Sequence, residues 1–286
     1  MPLQIAYVLL WSSGFVGAEL GTRYAAPDTL LAWRYVVAAG LLWIAVGARR
    51  EKIPRGAPAR QVGLGFLAQV LYLGGVVTGV AMGVPAGTTA LVAALQPLVV
   101  ALLGERTSTR QRIGLVAGLA GVALVVAGDL GPGSAPWWAF GLPIGGMLAL
   151  SAATLAERRL RPPESPLVSM AFQAGTAAVA FTASAAVAGR LAPPPVPEFW
   201  AAVAWVVVLA SFGGYGSYLL VLRRFGALRV STLLYLTPPT TIAWTWLMFG
   251  DVPGWLTAPG LVLCAVGAVS GSSPSRRRSR PWSAVG

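Results

Sequence analysis

The sequence predicts an all-α integral membrane protein of about ten transmembrane helices, arranged as two inverted five-helix repeats. Three observations predict it: a composition too apolar for water, basic residues gathered on one side of the spans, and self-similarity between the two halves.

Of the 286 residues, 56% are hydrophobic and 10% charged, with a mean hydropathy of +0.71. A soluble domain carries roughly 25% charged residues. A chain this poor in charge cannot cover a water-facing surface, and a bilayer removes the need to do so. At roughly 20 residues per span, the length holds about ten spans with short loops and no sizeable soluble domain. The net charge of +12 would invite a nucleic-acid partner in a soluble protein. Here the basic residues lie between apolar runs, where they orient the spans, so lipid is the expected partner and nucleic acid is not. The lone Cys264 lies inside a span, and there is no His. An intrachain disulfide and a cysteine metal site are therefore excluded, as are the commonest metal ligand and proton shuttle. No cofactor is expected.

Span one, 5–24, lacks the basic start of a secretory signal and reads as an uncleaved helix. Span two, 29–48, is parted from span three, 62–82, by Arg49, Arg50, Lys52, Arg55 and Arg60. Span four, 85–103, contains Pro97, and Arg106, Arg110 and Arg112 surround the start of span five, 111–129. Span six, 136–156, is followed by Arg158, Arg159 and Arg161, then span seven, 166–188. Span eight, 199–221, precedes Arg223, Arg224 and Arg229; span nine, 228–249, contains Pro238 and Pro239. Span ten, 254–272, leads into a polar, Arg-rich tail, 273–286, expected to be disordered. With an inside N-terminus, 18 of the 21 basic residues fall inside; Arg23 and Arg190 fall outside and Arg34 lies in a span. Both termini are thus expected in the cytoplasm of a prokaryote, with the protein multi-pass in its cell membrane.

The halves, 1–130 and 131–272, resemble one another. At an offset of 146, Gly104, Glu105, Gly114 and Gly121 fall on Gly250, Asp251, Gly260 and Gly267. TALVAALQP (Thr89–Pro97) matches VSTLLYLTP (Val230–Pro238) at 141, and Ser12, Pro27 and Gly74-Gly75 fall on Ser151, Pro166 and Gly213-Gly214 at 139. Five spans is an odd number, so the second copy enters the membrane upside down, an arrangement typical of secondary transporters.

LWSSGFVGAELG, then TLLAWRYVVAAGLL, then ALVAALQPLVVALLGERTSTRQRIGLVAGLAGVALVV carry a specific pattern: helix, proline, apolar run, Gly-Glu-Arg, helix with glycine. On these residues the chain resembles the drug/metabolite transporter superfamily, EamA-type, over nearly its whole length. The resemblance implies ten helices, a central cavity lined by both halves, and transport of small metabolites, amino acids or drugs, with export the expected direction. Three features depart from that pattern. Pro97 stands eight residues before Glu105, against 13 from Pro238 to Asp251, so span four is about five residues short. Glu19 stands where many relatives carry a basic residue, and Asp251 where Glu is usual.

Glu19 is the acid placed clearly within the hydrocarbon, and Arg34 lies at a similar depth on span two. An isolated charge there costs roughly 2.5–3.5 kcal/mol or more. A Glu19–Arg34 ion pair is the structural expectation; a proton or substrate-charge site, with protons as coupling ion, is the functional one. Pro97, Pro238 and Pro239 are expected to kink their helices beside the substrate site. Trp11, Ser12, Ser13, Gln69, Tyr72, Gln96, Ser151, Tyr215, Tyr218, Tyr235 and Thr237 are the candidate cavity residues, because polar groups near mid-membrane avoid lipid. Interhelical hydrogen bonding is the alternative use of the same groups. Trp33, Trp137, Trp138, Trp200 and Trp255 are expected as interface anchors, and pairs such as Gly75/Gly79 and Gly141/Gly145 as close helix contacts. Without His, a metal-ligand cluster or a nucleophile–base pair in the spans, the chain is not expected to be an enzyme. The remaining alternatives are an uncoupled facilitator and a non-transporting scaffold or sensor.

Overall fold

A computed structural model describes residues 2–96, 99–100, 109–129, 135–226, 230 and 233–271. Ten helices follow one another among these residues: α1 Pro2–Thr22, α2 Pro27–Ala48, α3 Ala57–Ala81, α4 Ala86–Ala93, α5 Thr109–Asp129, α6 Trp137–Leu160, α7 Pro166–Val187, α8 Pro197–Phe225, α9 Thr237–Phe249 and α10 Thr257–Gly271. Of these, α1, α2, α3, α6, α7 and α8 are long and apolar enough to cross a bilayer. Pro97 and the tail 273–286 lie outside the described residues, as does the shortened segment before Glu105.

Helix starts follow local chemistry. Proline occupies the first turn of α2, α3, α7, α8 and α9, where its missing N–H would have had no partner anyway. Ser165 caps α7 by accepting from the Val168 amide. Gly83 and Gly226, at φ +94° and +81°, end α3 and α8 in a conformation other residues adopt at a cost.

The helices pack so that exchanging the first five for the last five leaves the pattern intact. The pairs α2–α7, α4–α9 and α5–α10 each join counterparts, while α1–α8 and α3–α6 exchange with one another. One end of the bundle gathers the ends of α1, α3, α5 and α9 with the starts of α4 and α10 around Glu19 and Asp251. The start of α6 is there too, because Ala135 packs on Gly83. The starts of α2 and α8 join it through the Trp33–Trp200 ring pair. The opposite end joins the starts of α3 and α7 to the ends of α6 and α8, through Arg60, Glu164, Glu157 and Arg223. These are called the Glu19 end and the Arg60 end.

Three expectations change. Pro238 and Pro239 do not kink the interior of a continuous helix. The chain turns at Tyr235–Leu236, and the prolines sit in the first turn of α9. Proline cannot donate to the turn before it, so breaking and restarting the helix satisfies more groups than bending it. The first half breaks likewise at Ala94–Leu95, an offset of 141 from the second break. Gly141 and Gly145 meet nothing within 4 Å; the close approach of α6 uses Gly146 instead.

The wide π turns Phe66–Leu71 in α3 and Val206–Tyr215 in α8 had no expectation behind them. They occupy corresponding places in the two halves and lie beside the cavity described below, as such turns often do.

Crossings rely on bare backbone. A Cβ at Gly75 would lie 2.5 Å from the Leu142 carbonyl oxygen, and one at Gly146 would lie 2.8 Å from that of Tyr72. We expect Gly75→Ala and Gly146→Ala to lose about 1–3 kcal/mol through overpacking, seen as a lowered melting temperature in detergent. Gly40→Ala, with open space around it, should melt no lower than the wild type.

Candidate substrate cavity

Tyr7 and Trp11 lie one turn apart on α1, and Tyr215 and Tyr218 lie one turn apart on α8. Their rings meet with that of Tyr72 from α3. Trp11 stands 5.0 Å from Tyr218, 6.1 Å from Tyr72 and 6.5 Å from Tyr215, centroid to centroid. Tyr7 closes the group at 5.7 Å from Trp11 and 6.2 Å from Tyr218. All but Tyr215 are buried, since the bilayer offers the phenol and indole groups nothing to bond.

Two small cavities flank Tyr215. One, of about 30 Å³, is lined by Trp11, Phe15, Arg34, Gln69, Tyr72, Val76 and their neighbours. The other, of about 10 Å³, is lined by Thr154, Glu157, Gln173, Tyr215 and Tyr218 among others. A third pocket, of about 410 Å³, opens at the Glu19 end between α1, α4, α9 and α10. Helix α3 strings these levels together. Arg60 and Gln61 stand at one end, Ala68 touches both small cavities, Val76 lines the larger of them, and Val80 reaches the open pocket. On α1, Phe15 and Glu19 repeat the last step. One helical turn, about 5.4 Å, therefore separates the open pocket from the central cavity.

A hydrogen-bond chain leads from the rings to the Arg60 end. The Tyr215 hydroxyl donates to Gln173 Oε1. Gln173 Nε2 donates to Gln61 Oε1 at 2.6 Å, and Gln61 Nε2 to Glu164 Oε1 at 2.8 Å. Arg60 pairs with the other Glu164 oxygen at 2.7 Å. Arg223 donates to the Glu164 carbonyl at 2.7 Å, to Ser169 Oγ at 2.7 Å and to the Glu157 carboxylate at 2.8 Å. A second branch runs from Gln96 to the Thr154 hydroxyl at 2.6 Å, which lies 2.7 Å from the Tyr218 hydroxyl. Burial alone would raise the pKa of Glu164. Hydrogen bonds from Arg60, Gln61 and its own backbone outweigh that and hold it below the ordinary glutamate value of 4.5.

The structure thus gathers Trp11, Gln69, Tyr72, Gln96, Tyr215 and Tyr218 around one axis. Ser12 sits beside them and donates weakly to the Thr237 carbonyl at 3.4 Å, joining α1 to the start of α9. Ser13 and Ser151 turn their hydroxyls back to carbonyls of their own helical turns, and Thr237 donates across the break to the Leu234 carbonyl. Tyr235 is half-buried at the break before α9 and makes no ring contact with the group. The expected Glu19–Arg34 pair does not form. Glu19 binds Arg23, four residues on and just past the end of α1, at 2.6 Å, a spacing that brings the two side chains together without α2. Arg34 Nε donates instead to Ser211 Oγ at 3.0 Å.

Sequence reading missed Tyr7, Tyr35, Gln61, Thr154, Glu164, Gln173 and Ser211. Gln173, inside span seven, carried the same signal as Gln69 and Gln96, a polar group within a span, whereas Gln61 stands just before span three. Glu164 stands between prolines in a short loop and showed no signal of its own.

Glu164→Ala would strand Arg60 and Gln61. We expect a loss near the low end of the about 3–5 kcal/mol typical of a broken buried pair, since Arg60 keeps 25% side-chain exposure. The depressed pKa fixes the sign of the pH dependence. The contribution of Glu164 is complete above about pH 4.5 and fades as pH falls below that through its folded-state value. Melting curves between pH 3 and pH 7 (on the order of that range) should therefore converge for wild type and Glu164→Gln at the acid end.

The sequence profile of the EamA-like transporter family matches residues 2–127 and again residues 137–270. The uncharacterized inner membrane transporter YedA of Escherichia coli K12 is 23% identical over 254 residues, covering 83% of this chain and 78% of its own. YedA of E. coli O157:H7 matches to the same extent. A solved crystal structure at 23% identity superposes with a TM-score of 0.62 over 94% of each chain, which supports the fold.

Proposed function

The chain belongs to the EamA-like transporter family, a multi-pass membrane transporter family, and we propose that it moves small molecules by alternating access through the axis of Trp11, Tyr72, Tyr215 and Tyr218. One observation carries this reading: the path is open at one end and tied shut at the other. At the Glu19 end, the 410 Å³ pocket reaches to within one turn of the central cavity. At the Arg60 end, Arg60, Gln61, Glu157, Glu164, Gln173 and Arg223 bind α3, α6, α7 and α8 together.

The arginines give the sidedness of this proposal. Those flanking the Arg60 end outnumber those at the Glu19 end, so the closed end faces the cytoplasm, together with both termini, and the two repeats are inverted in the bilayer. The geometry is then that of an outward-facing carrier whose central cavity is parted from the open pocket by the turn at Phe15 and Val76, the Phe15–Val76 layer. Transport requires the Arg60 network to part while that layer stays shut. Export of small metabolites, amino acids or drugs is the direction carried over from the family resemblance, with Glu19 as the proton-linked candidate at the open pocket.

Two experiments test this. Purified protein in proteoliposomes should show saturable flux in a screen of amino acids and cationic drugs, with and without a pH gradient. Absence of flux for every compound in both conditions would overturn transport. The second experiment locks the closed end. A Cβ at Gly65 would lie 3.1 Å from that of Gln173 and 2.7 Å from its Cα, so a cysteine pair needs α3 and α7 to part by several tenths of an ångström to reach the about 3.5–4.5 Å of a disulfide. Gly65→Cys with Gln173→Cys should lose flux on oxidation and regain it on reduction. Undiminished flux through fully cross-linked protein would rule out opening between α3 and α7.

A further inference from the structure

Arg34 is 4% exposed in the middle of the bundle. Among the described residues it has no carboxylate partner. Four acids of the bundle are engaged elsewhere: Glu19 with Arg23, Asp28 with Arg190, Glu157 with Arg223, and Glu164 with Arg60. Its Nε is held by Ser211, whose hydroxyl in turn donates at 3.0 Å to the Val206 carbonyl five residues back, across the wide turn of α8. The guanidinium carbon lies 5.2 Å from the Tyr35 ring centroid, which gives support to the cation but does not neutralise it. The side chain is therefore fixed by one edge, and among the described residues no acceptor is recorded for its terminal N–H groups. A buried charge is normally paired, because a lone one is strongly disfavoured in a medium of low dielectric.

Arg34 lines the 30 Å³ cavity, and so does Trp11, whose buried Nε1–H has no acceptor among the described residues either. Two sets of N–H groups without acceptors among the described residues, one of them cationic, thus border this small cavity. Around it lie the rings of Trp11, Tyr72 and Tyr215.

We propose that Arg34 and Trp11 form the anchor for a carboxylate on the transported molecule, so that the substrate class is a small organic carboxylate with a flat apolar remainder. This rests on the transport reading above and names the ligand of its cavity. The fork of terminal N–H groups suits the two oxygens of a carboxylate. The apolar remainder then packs along the aromatic rings, entering as the Phe15–Val76 layer parts. Held in this way, the ligand supplies the counter-charge that the protein withholds from Arg34.

Phenylacetate and its neutral isostere phenylacetamide are suitable probes, with chloride as the inorganic competitor, all measured as shifts in melting temperature of the purified full chain in chloride-free detergent buffer. Phenylacetate should stabilise the wild type saturably, and phenylacetamide should not. Arg34→Gln should weaken the apparent phenylacetate affinity at least tenfold. Arg34→Lys, which keeps the charge but loses the fork, should weaken it several-fold, and so should Trp11→Phe, which keeps an aromatic ring and removes only the donor. Equal stabilisation by phenylacetamide, or undiminished phenylacetate affinity in Arg34→Gln, would overturn the proposal. If Arg34→Gln does not fold, undiminished affinity in both Arg34→Lys and Trp11→Phe overturns it. Stabilisation by chloride that phenylacetate cannot displace would also overturn it, leaving an inorganic anion site. Loss of the binding signal while proteoliposome flux persists would sink the anchor alone; absence of flux with the binding signal intact would sink transport alone.

Discussion

Hydrocarbon cannot satisfy a hydrogen bond, and the interior of this bundle is organised by that constraint. Most amides, phenols and carboxylates carried into the membrane find a partner on another helix or on their own backbone, and the exceptions, such as the Tyr7 hydroxyl and the Trp11 N–H, lie among the central rings. Gln61, Gln173 and Tyr215 illustrate the result. None has a local reason to face its neighbour, yet together they form an unbroken chain from the aromatic rings to Glu164. The same condition fixes Ser211. In the wide turn of α8 its hydroxyl donates to the Val206 carbonyl, and its oxygen accepts from Arg34. Polar contacts in this protein are therefore both the interhelical adhesive and the boundary of the path.

That constraint also governs how much could be read from the chain. Spans were legible because hydrophobic length and arginine position are one-dimensional signals. Prolines were legible as interruptions but not as the kind of interruption. At Pro238 the restart of α9 depends on what fills the break, which spacing does not state. Trp11, Gln69, Tyr72, Gln96, Tyr215 and Tyr218 were legible as inward groups, since their chemistry excludes lipid. Their partners were not, because rotation about each helix axis decides them. Glu19 shows the limit best. Depth along the span suggested Arg34, whereas the partner chosen is Arg23, four residues on.

The pairing of helices gives the halves a mechanical relation. Counterparts meet at α2–α7, α4–α9 and α5–α10, so these contacts lie along the line between the halves. The α1–α8 and α3–α6 crossings instead carry each half into the other, with Gly214 against the Leu10 backbone and Gly75 against that of Leu142. The aromatic rings and the cavity beside Arg34 come from α1, α2, α3 and α8. The site is thus built from elements that belong to both halves.

The wide turns in α3 and α8 have a consequence for angular bookkeeping along each helix. An α-helix advances about 100° per residue, so accommodating one surplus residue in a π turn offsets everything downstream by roughly that angle. Each such turn is a phase shifter. A stripe of side chains that points at lipid before Phe66 or Val206 cannot keep that heading after Leu71 or Tyr215. Tyr72 and Tyr218 stand just past these offsets and take their azimuth from them. Rewinding either turn as regular α-helix with the surplus residue kept would leave composition and hydropathy untouched while swinging an aromatic ring out of the centre of the molecule; deleting one residue within the turn would keep the ring's heading.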